Sequence, residues 1–363
     1  MKKRVLALIM STTMVAAALT GCGSSKEETP AADSAASEAG AATEEVKDYG
    51  TGEIKVWVAE NVKTFTETKI KEFQDANPQF AGYAVTVEQV GEGDAAGNVI
   101  TDVSGAGDIF GFAQDQTARL VSAGALTPLS DAEVKVVTDA NDAGAVNAAT
   151  VGGKVVAYPV TSDNGYFLFY DKSVVTDPSK IESIVADCAK AGKQFYYEMN
   201  SGWYQPSLFF GAGCELTYET DVDGNFTSCN VSYATEEGVA ALKAMINMHK
   251  SAAYVKNSDA SNIPDAGAFV CGTWAVGQVK EAFGDNYAAV KLPTFEVDGT
   301  SYQMAGFSGY KLIGVKPQED ADKLAACQAL AKYLTSEEVQ LARYNAVGWG
   351  PSNKVALEDE AVK

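Results

Sequence analysis

From residue 51 onward, the spacing of apolar positions switches repeatedly between a period of two and a period of three to four. Each switch marks a change of element. Ile54-Lys55-Val56-Trp57-Val58 is rich in β-branched and aromatic residues and predicts a strand over 54–58. A helix follows over roughly 65–75, with Ile70 and Phe73 on its inner face, and Asn77-Pro78 stops it. Strands are predicted over 83–87 and 108–113, the second nearly all apolar and so buried. A helix over 116–122 closes at Gly124. Strands over 154–158 and 166–170 flank a loop over 159–165. Thr235 caps a long helix over 235–250. Strands over 288–292 and 311–315 follow, then a helix over 321–334, and Ser336 caps one more. Strands alternating with helices argue for an α/β fold built on mainly parallel sheets. Ligands of such sheets bind beyond the carboxyl ends of the strands.

The chain before residue 51 follows a different pattern. Lys2, Lys3 and Arg4 precede an apolar run over 5–19, the layout of a secretory signal peptide. The run is too short to cross a bilayer comfortably. It ends in Leu19-Thr20-Gly21-Cys22, which resembles a bacterial lipobox, so Cys22 is the expected lipidation site and 1–22 the lipoprotein signal. The alternative is an ordinary export signal with an incidental cysteine. Residues 23–50 are rich in Ser, Ala, Glu and Thr and carry no aromatic before Tyr49. Such a segment buries too little apolar surface to fold and is expected to be a flexible tether.

Composition narrows the function. A length of 363 residues suggests two lobes, and 46% hydrophobic residues supply real cores. The formal charge of −20 repels nucleic acid and anionic lipid, so neither is an expected partner. The one histidine, His249, falls near the end of the helix over 235–250 and excludes multi-histidine zinc sites. No nucleophile elbow lies near it to form a hydrolase triad. Of the six cysteines, Cys188, Cys271 and Cys327 fall in apolar settings and are expected as buried thiols. Cys214 and Cys229 flank a turn at Asp221-Val222-Asp223-Gly224 and would face each other across a hairpin, with or without a disulfide. That turn is not a calcium loop, since its glycine comes too early and Ser232 stands where a bidentate Glu is needed. Gly105-Ala106-Gly107 does not fit the dinucleotide fingerprint, and no phosphate-binding loop of the Walker kind occurs. No metal and no cofactor are expected.

Short segments spread along the chain carry a resemblance. They are Ile54-Lys55-Val56-Trp57, Gly107-Asp108-Ile109-Phe110 with Ala113 and Asp115, and Gly124-Ala125-Leu126-Thr127-Pro128-Leu129. Gly153-Lys154-Val155-Val156-Ala157-Tyr158-Pro159-Val160 and Phe169-Tyr170-Asp171-Lys172 follow. The last are Gly272-Thr273-Trp274-Ala275, Leu292-Pro293-Thr294-Phe295 and Gly348-Trp349-Gly350-Pro351. In this order and spacing they resemble the extracellular solute-binding proteins of ABC sugar importers, the maltose-binding-protein-like family. The resemblance implies the two-lobe periplasmic-binding-protein-like fold of type II, each lobe a mostly parallel sheet flanked by helices, with hinge strands between the lobes. The N-lobe would hold 51–160 and 296–350, and the C-lobe 165–292 and 353–363. Crossings would fall near 160–164, 292–296 and 350–353. The family continues for some tens of residues past this point, so the chain is expected to be a fragment lacking the C-terminal helices.

A sugar site needs flat rings for the C–H faces and polar groups for the hydroxyls. The resemblance implies stacking by Trp274, by Trp203 or Tyr204, and by Phe112, with Trp349 at the cleft. It implies hydroxyl contacts from Asp115, from the pair Glu60 and Asn61, and from Asp163 and Asn164 at the first crossing. Where relatives follow the aspartate with Arg, this chain has Gln116, which removes a fork of donors. The expected function is capture of an oligosaccharide, such as a maltooligosaccharide, for delivery to ABC permease subunits by a lipid-anchored monomer on the extracellular face of the bacterial cytoplasmic membrane. The same carboxylates and aromatics suit a polyamine or other cation. Paired carboxylates also occur in glycosidases, but nothing sets these at a catalytic separation, and the chain is not expected to be an enzyme.

Overall fold

A computed structural model describes residues 47–256 and 260–363. The signal segment, Cys22 and the tether up to residue 46 lie outside the described residues. Among the described residues no helix is long and apolar enough to cross a membrane.

Besides a short hairpin of Thr150–Val151 with Lys154–Val155, the strands in chain order are β1 (Gly52–Val58), β2 (Tyr83–Gln89), β3 (Ile109–Ala113), β4 (Tyr158–Thr161), β5 (Tyr166–Asp171), β6 (Gln194–Tyr196) and β7 (Leu216–Thr220). They continue as β8 (Phe226–Val231), β9 (Tyr254–Val255), β10 (Ala266–Gly272), β11 (Tyr287–Val290), β12 (Thr294–Val297), β13 (Thr300–Gln303) and β14 (Lys311–Val315). Two five-stranded sheets organise two lobes. The first has the order β2-β1-β3-β14-β4 and the second β9-β6-β10-β5-β11. The helices used below are α1 (Lys63–Ala76), α2 (Glu92–Thr101), α3 (Thr117–Ser122), α4 (Asp131–Ala140), α5 (Glu236–His249), α6 (Val276–Phe283), α7 (Ala321–Leu334) and α8 (Glu337–Val347).

Each sheet closes over its own core. In the first lobe Ile54, Val56, Phe110 and Leu312 meet Ile70 and Phe73 of α1 and Cys327, Leu330 and Leu334 of α7. β14 is buried along its whole length, which explains why Leu312, Ile313 and Val315 do not alternate with polar residues. In the second lobe Leu168, Phe195 and Val270 pack with Ala241 and Ala244 of α5. Fully burying one such Leu or Phe contributes about 1.5–3 kcal/mol, so each lobe has ample apolar material to hold its shape.

The sheets are mostly parallel, as expected: in each, four of the five strands run one way and one runs against them. β1 pairs parallel with β2 and β3, but β14 pairs antiparallel with both β3 and β4. In the second lobe β10 and β9 run parallel to β6, while β5 runs against both β10 and β11. The cause is the crossing of the chain. A strand that arrives from the other lobe enters at the carboxyl edge of the sheet and must run against its neighbours. β5 and β14 are those two strands.

Four other expectations are corrected. The loop over 159–165 begins as strand β4, and Pro159 is accommodated because β4 is an edge strand. The return to the first lobe does not fall at 292–296: β12 and β13 form a hairpin that puts Phe295 and Val297 into the second core. The chain crosses back just before β14, where Asn164 N donates to Gly309 O at 3.0 Å beside the outgoing segment. The tail over 353–363 does not join the second lobe. The buried Gln340 Oε1 of α8 accepts from Ser352 N (2.7 Å) and Asn353 N (3.0 Å), and Lys354 N donates to Ala140 O at the end of α4 (2.8 Å). Finally, Cys214 is buried and Cys229 exposed, both are free thiols, and Cys229 lies opposite Tyr218 in the β7–β8 hairpin.

Candidate functional site

A cleft of about 810 Å³ opens where the carboxyl ends of β1, β3 and β10 converge. Such edges carry free loops and helix starts, so side chains there are held by rigid strands yet remain open to solvent. β1 delivers Glu60 and Asn61; β3 delivers Asp115 and Gln116; β10 delivers Trp274, followed by Gln278 on α6. The start of α2 adds Glu92 between Gly91 and Gly93. Asn164 and Lys311 enter from the two crossings, Trp203 from the loop before residue 206, and Trp349 from the turn after α8. Gly348 takes φ of 75° to end α8, a left-handed turn that glycine makes without strain.

Local contacts orient these groups. Trp203 stacks on Phe307 of the second crossing, with ring centroids 5.2 Å apart and planes 17° off parallel, and Tyr166 meets it edge-on. Trp274 packs against two apolar clusters of the second lobe while one side borders the cleft. Gln116 Nε2 donates to Asp115, and Arg119 Nη1 on α3 donates to Gln116 Oε1 at 2.7 Å. Arg119, one turn later, thus fixes the Gln116 amide rather than lining the cleft itself. Lys311 is buried, with Glu92 Oε2 at 3.9 Å. Burial pushes its ammonium below the ordinary lysine value, against the pull of Glu92 and Asp163, and Arg343 adds to the lowering.

Seven sequence candidates therefore line this cleft: Glu60, Asn61, Asp115, Asn164, Trp203, Trp274 and Trp349. Three do not. Phe112 is fully buried in the first core beside Phe110, because its position in β3 turns it to the core face while the edge begins at Ala113. Tyr204 is buried in the second core, where its hydroxyl lies 3.6 Å from Cys271 Sγ. Asp163 Oδ2 accepts from Gly350 N at 2.7 Å, so it ties the first crossing to the turn after Trp349. Glu92, Lys311 and Gln278 were not foreseen. Glu92 sits in a Gly-rich stretch without periodicity, and Lys311 reads from sequence as the first residue of a strand. Among the described residues no group of three or more His, Cys, Asp or Glu side chains is placed to hold a metal ion.

The profile of the bacterial extracellular solute-binding proteins matches residues 68–363, and the chain belongs to that family. Solved structures agree. One determined with acarbose has a TM-score of 0.73 at 27% identity, covering 86% of this chain and 82% of that one. The ligand-free maltodextrin-binding protein MalE1 of L. casei BL23 has a TM-score of 0.69 at 25% identity, with the same coverage. The maltose-maltodextrin-binding protein of Alicyclobacillus acidocaldarius has a TM-score of 0.70 at 18% identity, over 85% of this chain and 84% of that one, and shares the fold. No curated protein sequence matches the chain.

Proposed function

We propose that this protein captures a neutral oligosaccharide, of maltooligosaccharide type, between its two lobes and delivers it to ABC permease subunits. The observation that carries this reading is the meeting of Trp203 and Trp274 with Glu60, Asn61, Asp115 and Asn164 on one cleft. Ring faces take the C–H side of a sugar, and the polar rim pairs with its hydroxyls. The acarbose and maltodextrin ligands named for the similar structures support it. Closure of the lobes over the ligand is the expected conformational step. The reading is of a binding protein acting alone as a monomer, without catalysis.

A thermal-shift screen against a glycan panel, with spermidine alongside, tests this. A saccharide present at 100 times its Kd adds about 2.7 kcal/mol of stability by mass action and raises the midpoint by several degrees. Stabilisation by spermidine and by no saccharide would sink the sugar reading. One observation favours that second reading: Glu60, Glu92 and Asp115 outnumber Lys311 along the cleft. Loss of maltotriose uptake in cells lacking the protein checks delivery.

Family membership places the chain in the extracellular or periplasmic space. We infer that Cys22 carries the lipid that holds it at the membrane. Cys22→Ser is expected to move the protein from the membrane fraction to the medium, and retention at the membrane would refute lipidation at that residue.

A further inference from the structure

One of the indole faces bordering the cleft is already covered. Lys311 Nζ stands 3.5 Å from the ring centroid of Trp349 and 5.5 Å from that of Trp274. Its side chain is 7% exposed. Glu92 Oε2, at 3.9 Å, is beyond direct hydrogen-bond reach. An ammonium carries three donors, and among the described residues none of those on Lys311 meets a protein acceptor. Lys311 borders the cleft, so its donors open onto the space a ligand would fill. Trp349 and Trp274 stabilise the charge through their ring faces but accept no hydrogen bond from it. The other charged groups that face it are Asp163 at the first crossing and Arg343 on α8.

We propose that Lys311 and Glu92 together read two adjacent hydroxyls of the bound sugar, and that Trp349 holds Lys311 in place rather than stacking on the ligand. The proposal rests on the saccharide reading above. The donor and the acceptor stand side by side on one wall, as neighbouring hydroxyls do on a sugar ring. Lys311 donates to one hydroxyl oxygen, and the neighbouring hydroxyl donates to Glu92. A neutral ring suits the site, because an acidic sugar would also face Glu60, Glu92 and Asp115. Stacking is then left to Trp203 and Trp274. Lys311 is a specificity-determining residue in this arrangement, and Trp349 is a positioning residue.

Isothermal titration with maltotriose tests this on the wild type, Lys311→Met, Glu92→Gln, Trp349→Leu and the Lys311→Met/Trp349→Leu double variant, with thermal midpoints confirming that each is folded. Methionine fills the lysine volume but leaves Glu92 without its cation, a loss that lowers stability, so affinities are compared at a temperature below every variant's midpoint. Lys311→Met and Glu92→Gln are each expected to weaken binding about 10- to 100-fold, the range for lost hydrogen bonds to charged groups. Trp349→Leu is expected to weaken binding only while Lys311 is present, so that the double variant matches Lys311→Met within about twofold. Wild-type affinity in Lys311→Met overturns the proposal, and additive losses in the double variant overturn the positioning role of Trp349. Tighter binding of a trigalacturonate than of maltotriose overturns the neutral-diol assignment. Absence of binding by the wild type across the glycan panel overturns the saccharide reading itself, and this inference with it.

Discussion

Replacing Trp274 with alanine is expected to weaken saccharide binding about 100-fold, roughly 2.8 kcal/mol, while leaving the protein folded. The indole is half-buried at the carboxyl end of β10 and borders the cleft. On the saccharide reading proposed above, its removal takes away a flat surface offered to a sugar ring, whereas Asp115 and Asn164 stay in place to meet hydroxyls. Phenylalanine at the same position keeps a smaller face and is expected to recover part of the affinity. Gly272 offers a second route to the same result. A Cβ added there would overlap the six-membered ring of Trp274, so Gly272→Ala is expected to swing the indole away without deleting it. Titration with maltotriose, read by tryptophan fluorescence or heat, measures both. Binding within twofold of wild type in Trp274→Ala would remove this residue from the site.

The largest loss of stability is expected away from the cleft, at Asp108. Its carboxylate is buried at the amino end of β3, where Oδ2 accepts from Lys55 N at 2.9 Å and Oδ1 from Gln318 Nε2 at 3.0 Å. Lys323 Nζ lies 3.0 Å away and Lys316 Nζ 3.6 Å away. Burial pushes the Asp108 pKa up, but the Lys55 N–H and the two lysines outweigh it and hold the carboxyl below its ordinary value. Asp108→Ala leaves the buried Lys316 without its carboxylate. Breaking such a pair from one side costs about 3–5 kcal/mol, a drop in midpoint on the order of 10 °C for a protein of this size. Asp108→Asn keeps the shape and part of the hydrogen bonding and should cost less. The pH dependence follows from the sign of the shift. A depressed folded pKa stabilises the protein fully above the unfolded value of about 3.9 and loses that contribution as pH falls through the folded value. The gap between wild type and Asp108→Asn should therefore be widest near neutrality and shrink in acid. A gap independent of pH would show that the charge contributes nothing.

Much of the element order was legible because periodicity is a local property. The helix expected over 321–334 is Ala321–Leu334, and the strand over 311–315 is Lys311–Val315. Ser336 caps α8 as its sequence position indicates, accepting from Val339 N. Most of the cleft residues were legible for a related reason, since they sit directly after apolar strands or beside glycines. Phe112 was misplaced because a single residue of register reverses which face of a strand a side chain occupies, and Tyr204 because nothing in its turn tells a core ring from a cleft ring. Asp108 was visible as part of a motif, yet nothing nearby in the chain reveals Lys316 or Lys323 as its partners.

Acidic charge, strand and helix order and the supply of aromatic rings all follow from the chain read alone, because each depends on composition or on neighbours in sequence. The reversal of β5 and β14, the point of return between lobes, the seat of the tail and the Lys311–Glu92–Trp349 cluster do not. They arise where segments far apart in the chain meet, and there the burial of a charge or the arrival of a strand from the other lobe sets the outcome.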